Sequence, residues 1–397
     1  MNKKIWLSIA VFSAFFLFLL IVLLTQWQSK NKYIFINGIE HFSRETSDKE
    51  GHYLLFYPAD YRFSQKFTLV KEVTNSGEVV KQYKVFDDDF GRMIPHQKPN
   101  DTNQLYISFF GGMGGEYYFT YDIQKNRFKK ENIDYLENKV GIDHIMHYGD
   151  DVVFQTLASH KTGDQRYNEK FDGFKVSISN AATQQSIETD YRRSPLSSPI
   201  LHFRGKILYG TAGAIGNDDE YEYHGIAITD LNKGSITYET FGTDNMDLTP
   251  LFSTDDYAYI LGENGKMYVY NKDFQFKIFK PFKNIPKQDY YSGNGQLVLD
   301  EHRILYCLNV EEDKYSLGIF HIKDEPVFEL FNETFANTDS WYEPLYQNTE
   351  EKEVYVKEMS NDNGKNHIIV LDSESLDVKE KFPVRDNHLL DFIVKVK

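Results

Sequence analysis

The stretch Tyr257-Ala-Tyr-Ile-Leu-Gly-Glu-Asn-Gly-Lys-Met-Tyr-Val-Tyr-Asn-Lys-Asp-Phe274 decides the fold class. Tyr257–Leu261 is an aromatic and branched run introduced by the polar pair Asp255-Asp256. A polar loop follows, then a second run that ends in the tight turn Tyr270-Asn-Lys-Asp-Phe274. Residues of this kind pack well on a pleated sheet, and Asn, Asp and Gly make the turns between strands easy to form. The segment therefore predicts strand, turn, strand, hairpin.

The same unit recurs along the chain. Six further runs match Tyr257–Leu261: His52–Tyr57, Leu105–Phe110, Val152–Leu157, Lys206–Gly210, Ile304–Leu308 and Glu353–Lys357. Hairpin turns such as Val73-Thr-Asn-Ser-Gly-Glu-Val79 and Leu371-Asp-Ser-Glu-Ser-Leu-Asp-Val378 close the second run of each unit. Successive turns stand about 50 residues apart, within the range of propeller blades. A weaker apolar stretch precedes five units clearly: His144–Tyr148, Ile200–Phe203, Pro250–Phe252, Gln296–Leu299 and Pro344–Tyr346. It is expected to be the innermost strand of each four-stranded blade. Arg92–His96 would serve the second unit, and Tyr33–Ile36 or Ile39–Phe42 the first. The final run, Leu389–Val396, is expected to pair with the first unit and close a ring.

Across residues 33–397 this pattern resembles β-propeller repeat proteins. The resemblance is architectural: the Gly-His and Trp-Asp signature of WD40 blades and a regular kelch-type double glycine are both missing. It implies an all-β, seven-bladed β-propeller, because a ring gives each blade neighbours on both apolar faces. Tandem β-sandwiches are the alternative, since they also space short strands regularly. No functional residue of any family carries over.

Ile5–Leu24 is apolar apart from Ser8 and Ser13. Twenty helical residues rise about 30 Å, the thickness of a bilayer core. Trp6 and Trp27 flank the run, as interfacial Trp does, and no small-residue cleavage site follows. A transmembrane signal-anchor helix at 5–24 is expected in preference to a cleaved signal peptide. It follows a tail at 1–4, and a linker at 25–32 leads into the domain at 33–397. Lys3 and Lys4 precede the run and Lys30 and Lys32 follow it, so charge sets no orientation. Signal-anchor behaviour would put the large domain outside the cytoplasm of what the Lys-, Asn- and Tyr-rich composition suggests is a bacterial cell membrane.

The chain has 44 basic and 59 acidic residues, a net charge of −15. An acidic surface with no basic stripe repels phosphate, which argues against nucleic-acid binding. The one cysteine, Cys307, lies in the apolar run Arg303–Leu308, so it is read as a packed hydrophobe. No cofactor motif occurs, and no metal site is expected. His144 and His147 would point to opposite sides of one strand. Asn217-Asp-Asp-Glu220 and Asp87-Asp-Asp89 lack calcium-loop spacing. Gly111-Gly-Met-Gly-Gly115 has no following helix to bind phosphate.

The remaining connections, Pro58–Lys66, Ser159–Gly173, Thr211–Gly225, Asn284–Gly295 and Glu333–Glu343, are longer and would share the face opposite the hairpins. They carry Tyr61, Tyr167, Tyr221, Tyr223, Tyr290, Tyr291, Trp341 and Tyr342. Long loops on one face of a repeat fold commonly make its binding surface, and Tyr and Trp are enriched at hot spots. Arg192 and Arg193, before Ser194-Pro195, could grip an anionic ligand. The expectation is a binding or scaffolding protein that engages a protein, peptide or cell-wall glycan. The alternative is an exported carbohydrate-active enzyme, a glycosidase or lyase, with carboxylates in the central funnel.

Overall fold

The computed structural model describes Phe16 and residues 33–396, apart from 45–51, 60–64, 87–92, 98–103, 110–116, 134–139, 149–150, 159–174, 181–185, 189–193, 196–198, 215–220, 242–246, 286–292, 312–313, 324, 361–365 and 385–387. The expected span at 5–24 lies outside these residues, Phe16 excepted. Among the described residues no helix is long and apolar enough to cross a membrane.

The described chain is all-β and forms seven sheets in chain order. The fifth is the plainest: Leu248–Ser253, Ala258–Gly262, Met267–Tyr270 and Phe276–Phe279 pair antiparallel in succession. The second (Met93–Gln97 to Arg127–Asn132), third (Val140–Tyr148 to Ser186–Glu188), sixth (Gly293–Asp300 to Val327–Glu329) and seventh (Ser340–Asn348 to Val378–Val384) repeat that order. In the fourth, the two short strands Ser194–Pro195 and Leu201–Phe203 together take the place of a first strand beside Lys206–Ala214. Ser194-Pro195 is thus paired with Ala212 and Thr211.

The first sheet closes differently. Its first strand comes from the C-terminus: Phe392–Lys395 pairs with Tyr53–Tyr57, as the sequence predicts for Leu389–Val396. Tyr33–Asn37 instead lies at the opposite edge, parallel to Val79–Phe86, and Ile39–His41 is a 3-10 turn. Neither candidate N-terminal stretch is the innermost strand. The position was already filled by the chain's other end.

The core lies between sheets. Phe56, Phe128, Tyr121, Tyr346 and Phe392 bring the first, second and seventh sheets together through edge-to-face and tilted rings. Similar clusters join the fourth sheet to the fifth, the fifth to the sixth and the sixth to the seventh. Where the innermost strands expose unpaired backbone, neighbouring side chains supply partners. Gln296 Nε2 donates to the carbonyls of Pro250 (3.2 Å) and Leu251 (3.3 Å), and Ser253 Oγ to His202 O at 2.6 Å. Cys307 is buried, and burial pushes its thiol up to about 12, so it packs as an inert hydrophobe.

Candidate functional site

Antiparallel order fixes which ends of the sheets meet. Turns between first and second, and between third and fourth strands, lie at one end of a sheet. Turns between second and third strands, and the connections to the next sheet, lie at the other. The long connections singled out from sequence all belong to this second end.

At that end, the fourth and fifth sheets bring together His224, Asp247 and Glu263. His224 sits near the start of Tyr221–Asp230, opposite Ala212. The next residue must be glycine: a Cβ on Gly225 would lie 2.2 Å from the Glu239 carbonyl oxygen. That tight strand pairing fixes His224 at the rim. Asp247 immediately precedes Leu248–Ser253, and Glu263 immediately follows Ala258–Gly262. Their backbones are joined, with Glu263 N–H donating to Asp247 O at 3.1 Å. Asp247 N–H donates to Glu263 Oε2 at 3.4 Å, and His224 Nδ1 lies 2.9 Å from Asp247 Oδ1.

Burial, then the Asp247 charge, pushes the Glu263 carboxyl above its ordinary value, against the Asp247 N–H and His224. The Asp247 side chain is 43% exposed, whereas His224 is nearly covered. Asp247 meets the imidazole and faces solvent, while Glu263 is hydrogen-bonded to the Asp247 backbone behind it. Chemically the group accepts a cation or a hydrogen-bond donor. The trio contains no Ser, Thr or Cys nucleophile.

A second polar group, on the seventh sheet, is used internally. Lys357 is buried, with Nζ 2.5 Å from Glu343 Oε2 and donating to Leu390 O at 2.8 Å. Glu358 Oε2 meets His367 Nδ1 at 3.0 Å and Lys381 Nζ at 2.7 Å. Asp391 Oδ2 accepts from Met93 N–H at 3.0 Å. The bonds to Leu390 and Asp391 hold the segment leading into Phe392–Lys395, and those of Glu358 tie together strands of the seventh sheet.

Nearer the middle of the innermost strands, the His96 and His144 rings lie 6.3 Å apart, edge to face. Burial lowers the affinity of His202 for a proton, and its Nε2 accepts from Gly205 N–H at 3.2 Å. Among the described residues no three His, Cys, Asp or Glu side chains are grouped to hold a metal.

The aromatic residues expected on long loops divide. Tyr61, Tyr167, Arg192, Arg193, Tyr290 and Tyr291 lie outside the described residues, as do Asp87–Asp89, Gly111–Gly115 and Asn217–Glu220. Tyr221 and Tyr223 are in a strand and not a loop, because the pairing of Lys206–Ala214 with Tyr221–Asp230 extends to Ala214. Trp341 and Tyr342 are likewise in Ser340–Asn348. Tyr342 is a core residue: its ring packs on Phe335, and its hydroxyl contacts Thr338 Oγ1 at 3.0 Å. Trp341 is half-buried, and its indole nitrogen is buried with no hydrogen-bond acceptor among the described residues. The sequence reading missed His224, Asp247 and Glu263. Their only signal was position, each at a strand end flanking a polar connection.

No protein-family model and no curated protein sequence matches the chain. Solved structures do resemble it. Pyrococcus horikoshii acylaminoacyl peptidase aligns with a TM-score of 0.50 at 13% identity, over 87% of this chain and 52% of that one. A post-proline cleaving enzyme from Rickettsia typhi aligns with a TM-score of 0.42 at 13% identity, over 76% and 45%. The chain thus spans about half the length of these proteins. At such identity the first likeness shows a shared fold and nothing of chemistry.

Proposed function

We propose that the seven sheets form a closed seven-bladed β-propeller, moored to a membrane by residues 5–24, that binds a partner through its long-loop face. The mooring rests on the sequence of 5–24. Closure is supported by the pairing of Phe392–Lys395 with Tyr53–Tyr57. The observation that carries the binding reading is the His224–Asp247–Glu263 group at the rim of that face. A carboxyl raised by burial beside a second, exposed carboxylate is unfavourable in the free protein, and a bound cation would relieve it. This favours a protein or peptide presenting a basic group over a neutral glycan. The acylaminoacyl peptidase named above resembles this chain in fold, and its activity is not assigned to this chain.

The test uses the full chain in membranes, with a photo-crosslinking residue at Asn264 on the long-loop end or at Asp273 on the hairpin end of the same sheet. Partner adducts at position 264 and none at 273 are expected. Adducts confined to 273 would overturn the assignment. The second reading, a carbohydrate-active enzyme, draws on the raised Glu263 beside Asp247, as a general acid beside a carboxylate. Turnover of a glycan that Glu263→Gln abolishes would establish it in place of the first.

A further inference from the structure

We propose that the outer edge of the first sheet lies against the bilayer, through the stacked pair Phe35 and Phe86. The inference rests on reading residues 5–24 as a membrane span. Phe35 and Phe86 are the side chains at issue because they are 65% and 45% exposed, yet stack with ring centroids 5.9 Å apart at 13°. The register makes the patch. Phe35 pairs with Lys84 and Asn37 with Phe86, so Tyr33, Phe35, Lys84 and Phe86 share one side of the sheet. Ile34 and Ile36 take the other side and pack on the core. Phe67 extends the patch, 6.3 Å from Phe86, and Lys84 Nζ lies 4.1 Å from the Tyr33 ring and 4.5 Å from that of Phe67.

Exposed apolar rings beside a lysine whose ammonium lies over two of them suit the headgroup boundary, where aromatic and basic side chains sit together. What selects a membrane as the occupant is where the chain leaves the sheet. Tyr33 begins the strand that carries Phe35, and only the linker 25–32 separates it from the expected span. Even fully extended, such a linker reaches about 30 Å. The patch is therefore held within a short distance of lipid. The exposed pair Phe276 and Ile278, on the outer strand of the fifth sheet, has no such tether. Asp87-Asp-Asp89 directly follow Phe86, so the surface expected is zwitterionic. A domain resting on this edge would stand on its rim, leaving the long-loop face open to solution.

The experiment uses the full chain in phosphatidylcholine vesicles with a nitroxide on Asn37→Cys, beside the patch. The native Cys307 is buried and stays unlabelled. The control label is on Lys277→Cys, an exposed position on the untethered outer strand of the fifth sheet. Collision rates with oxygen and with a water-soluble nickel chelate report the surroundings. The label at 37 is expected to collide severalfold more with oxygen and severalfold less with nickel than the label at 277. Phe35→Ser with Phe86→Ser should abolish the difference. Equal rates at 37 and 277 in a chain that floats with the vesicles would overturn the rim contact while leaving the span intact. Low rates with both reagents would also overturn it, because they mean that protein covers the patch. A chain that does not float with vesicles would remove the span itself, and the contact with it.

Discussion

The side-chain amide of Gln97 reproduces a strand partner for Gln347. Its Oε1 accepts from Gln347 N–H at 2.9 Å, and its Nε2 donates to Gln347 O. Gln97 ends the first strand of the second sheet, and Gln347 lies in the first strand of the seventh. The first sheet's own innermost strand, Phe392–Lys395, is only four residues long. The flanking sheets reach each other past it through this amide.

Gln97→Leu should therefore weaken the joint between the second and seventh sheets beyond the loss of two hydrogen bonds. It keeps the volume but leaves the Gln347 N–H and carbonyl without that partner. A cost of about 2 kcal/mol is expected, read from the midpoint of urea unfolding. A cost near zero would mean that water replaces the amide freely.

Phe392→Ala tests closure more directly. Phe392 is fully buried, and its ring meets Phe56, Tyr121 and Tyr346, one from each of the three sheets that converge there. Removing it should cost about 3–5 kcal/mol. Hydrogen exchange should rise first in Tyr53–Tyr57, the strand that would become an edge. Uniform acceleration across all seven sheets would argue against an opening at this joint.

Much of this joint was legible in the sequence, and the part that was not has a physical reason. The second-strand runs, the hairpin turns and the pairing of Leu389–Val396 with the first unit follow from local pattern. Tyr33–Asn37 was ambiguous because Ile34 and Ile36 inward with Phe35 outward suits an outer strand as well as an inner one. Only the C-terminal strand's occupation of the inner place decides. Trp341-Tyr-Glu343 read as the end of a long connection because the apolar strand pattern begins only at Pro344, whereas the strand starts at Ser340. Here Pro344 sits at a register shift in an innermost strand, where a missing N–H is tolerated. His224, Asp247 and Glu263 come from different strands of two sheets, and no spacing rule brings them together.

Lys357→Met should be strongly destabilising, by about 3 kcal/mol, because it leaves the Glu343 carboxylate facing a closed site and Leu390 O without its donor. The double variant Lys357→Met with Glu343→Met should recover most of that loss, since a matched apolar pair often replaces a buried ion pair without penalty. Calorimetric melting of the two variants separates them. Equal losses would mean that the lysine acts through Leu390 alone.

Stability should also depend on pH through Glu353 and Lys395, whose atoms lie 2.8 Å apart. Burial alone would raise the Glu353 carboxyl, but hydrogen bonds from Lys395, Tyr355 and Lys379 outweigh it and hold it below its ordinary value. A depressed acid contributes stability that is present above its unfolded value, about 4.3, and lost as pH falls through its folded one. Burial would likewise lower Lys395, but Glu353 and Glu351 outweigh that and raise it. Its contribution is full below about 10.4 and is lost as pH rises through the folded value. Glu353→Gln should flatten the acid limb of an unfolding-versus-pH curve. An unchanged acid limb would show that Glu353 is not one of the groups that set it.

Glu263 has the opposite sign. Its carboxyl is raised by burial and by Asp247, so ionising it costs stability as pH rises above the ordinary carboxylate value. Glu263→Gln should then unfold at a higher urea concentration than the native chain at pH 7, with the gain vanishing near pH 4. If the rim of the fourth and fifth sheets binds a basic group, the same substitution should weaken partner capture about tenfold, the effect of losing a charge-assisted contact worth about 1.4 kcal/mol. The pairing of the two outcomes is what distinguishes a binding residue from a packing one. A stabilised chain that still captures its partner at native affinity would leave Glu263 without a role on that face.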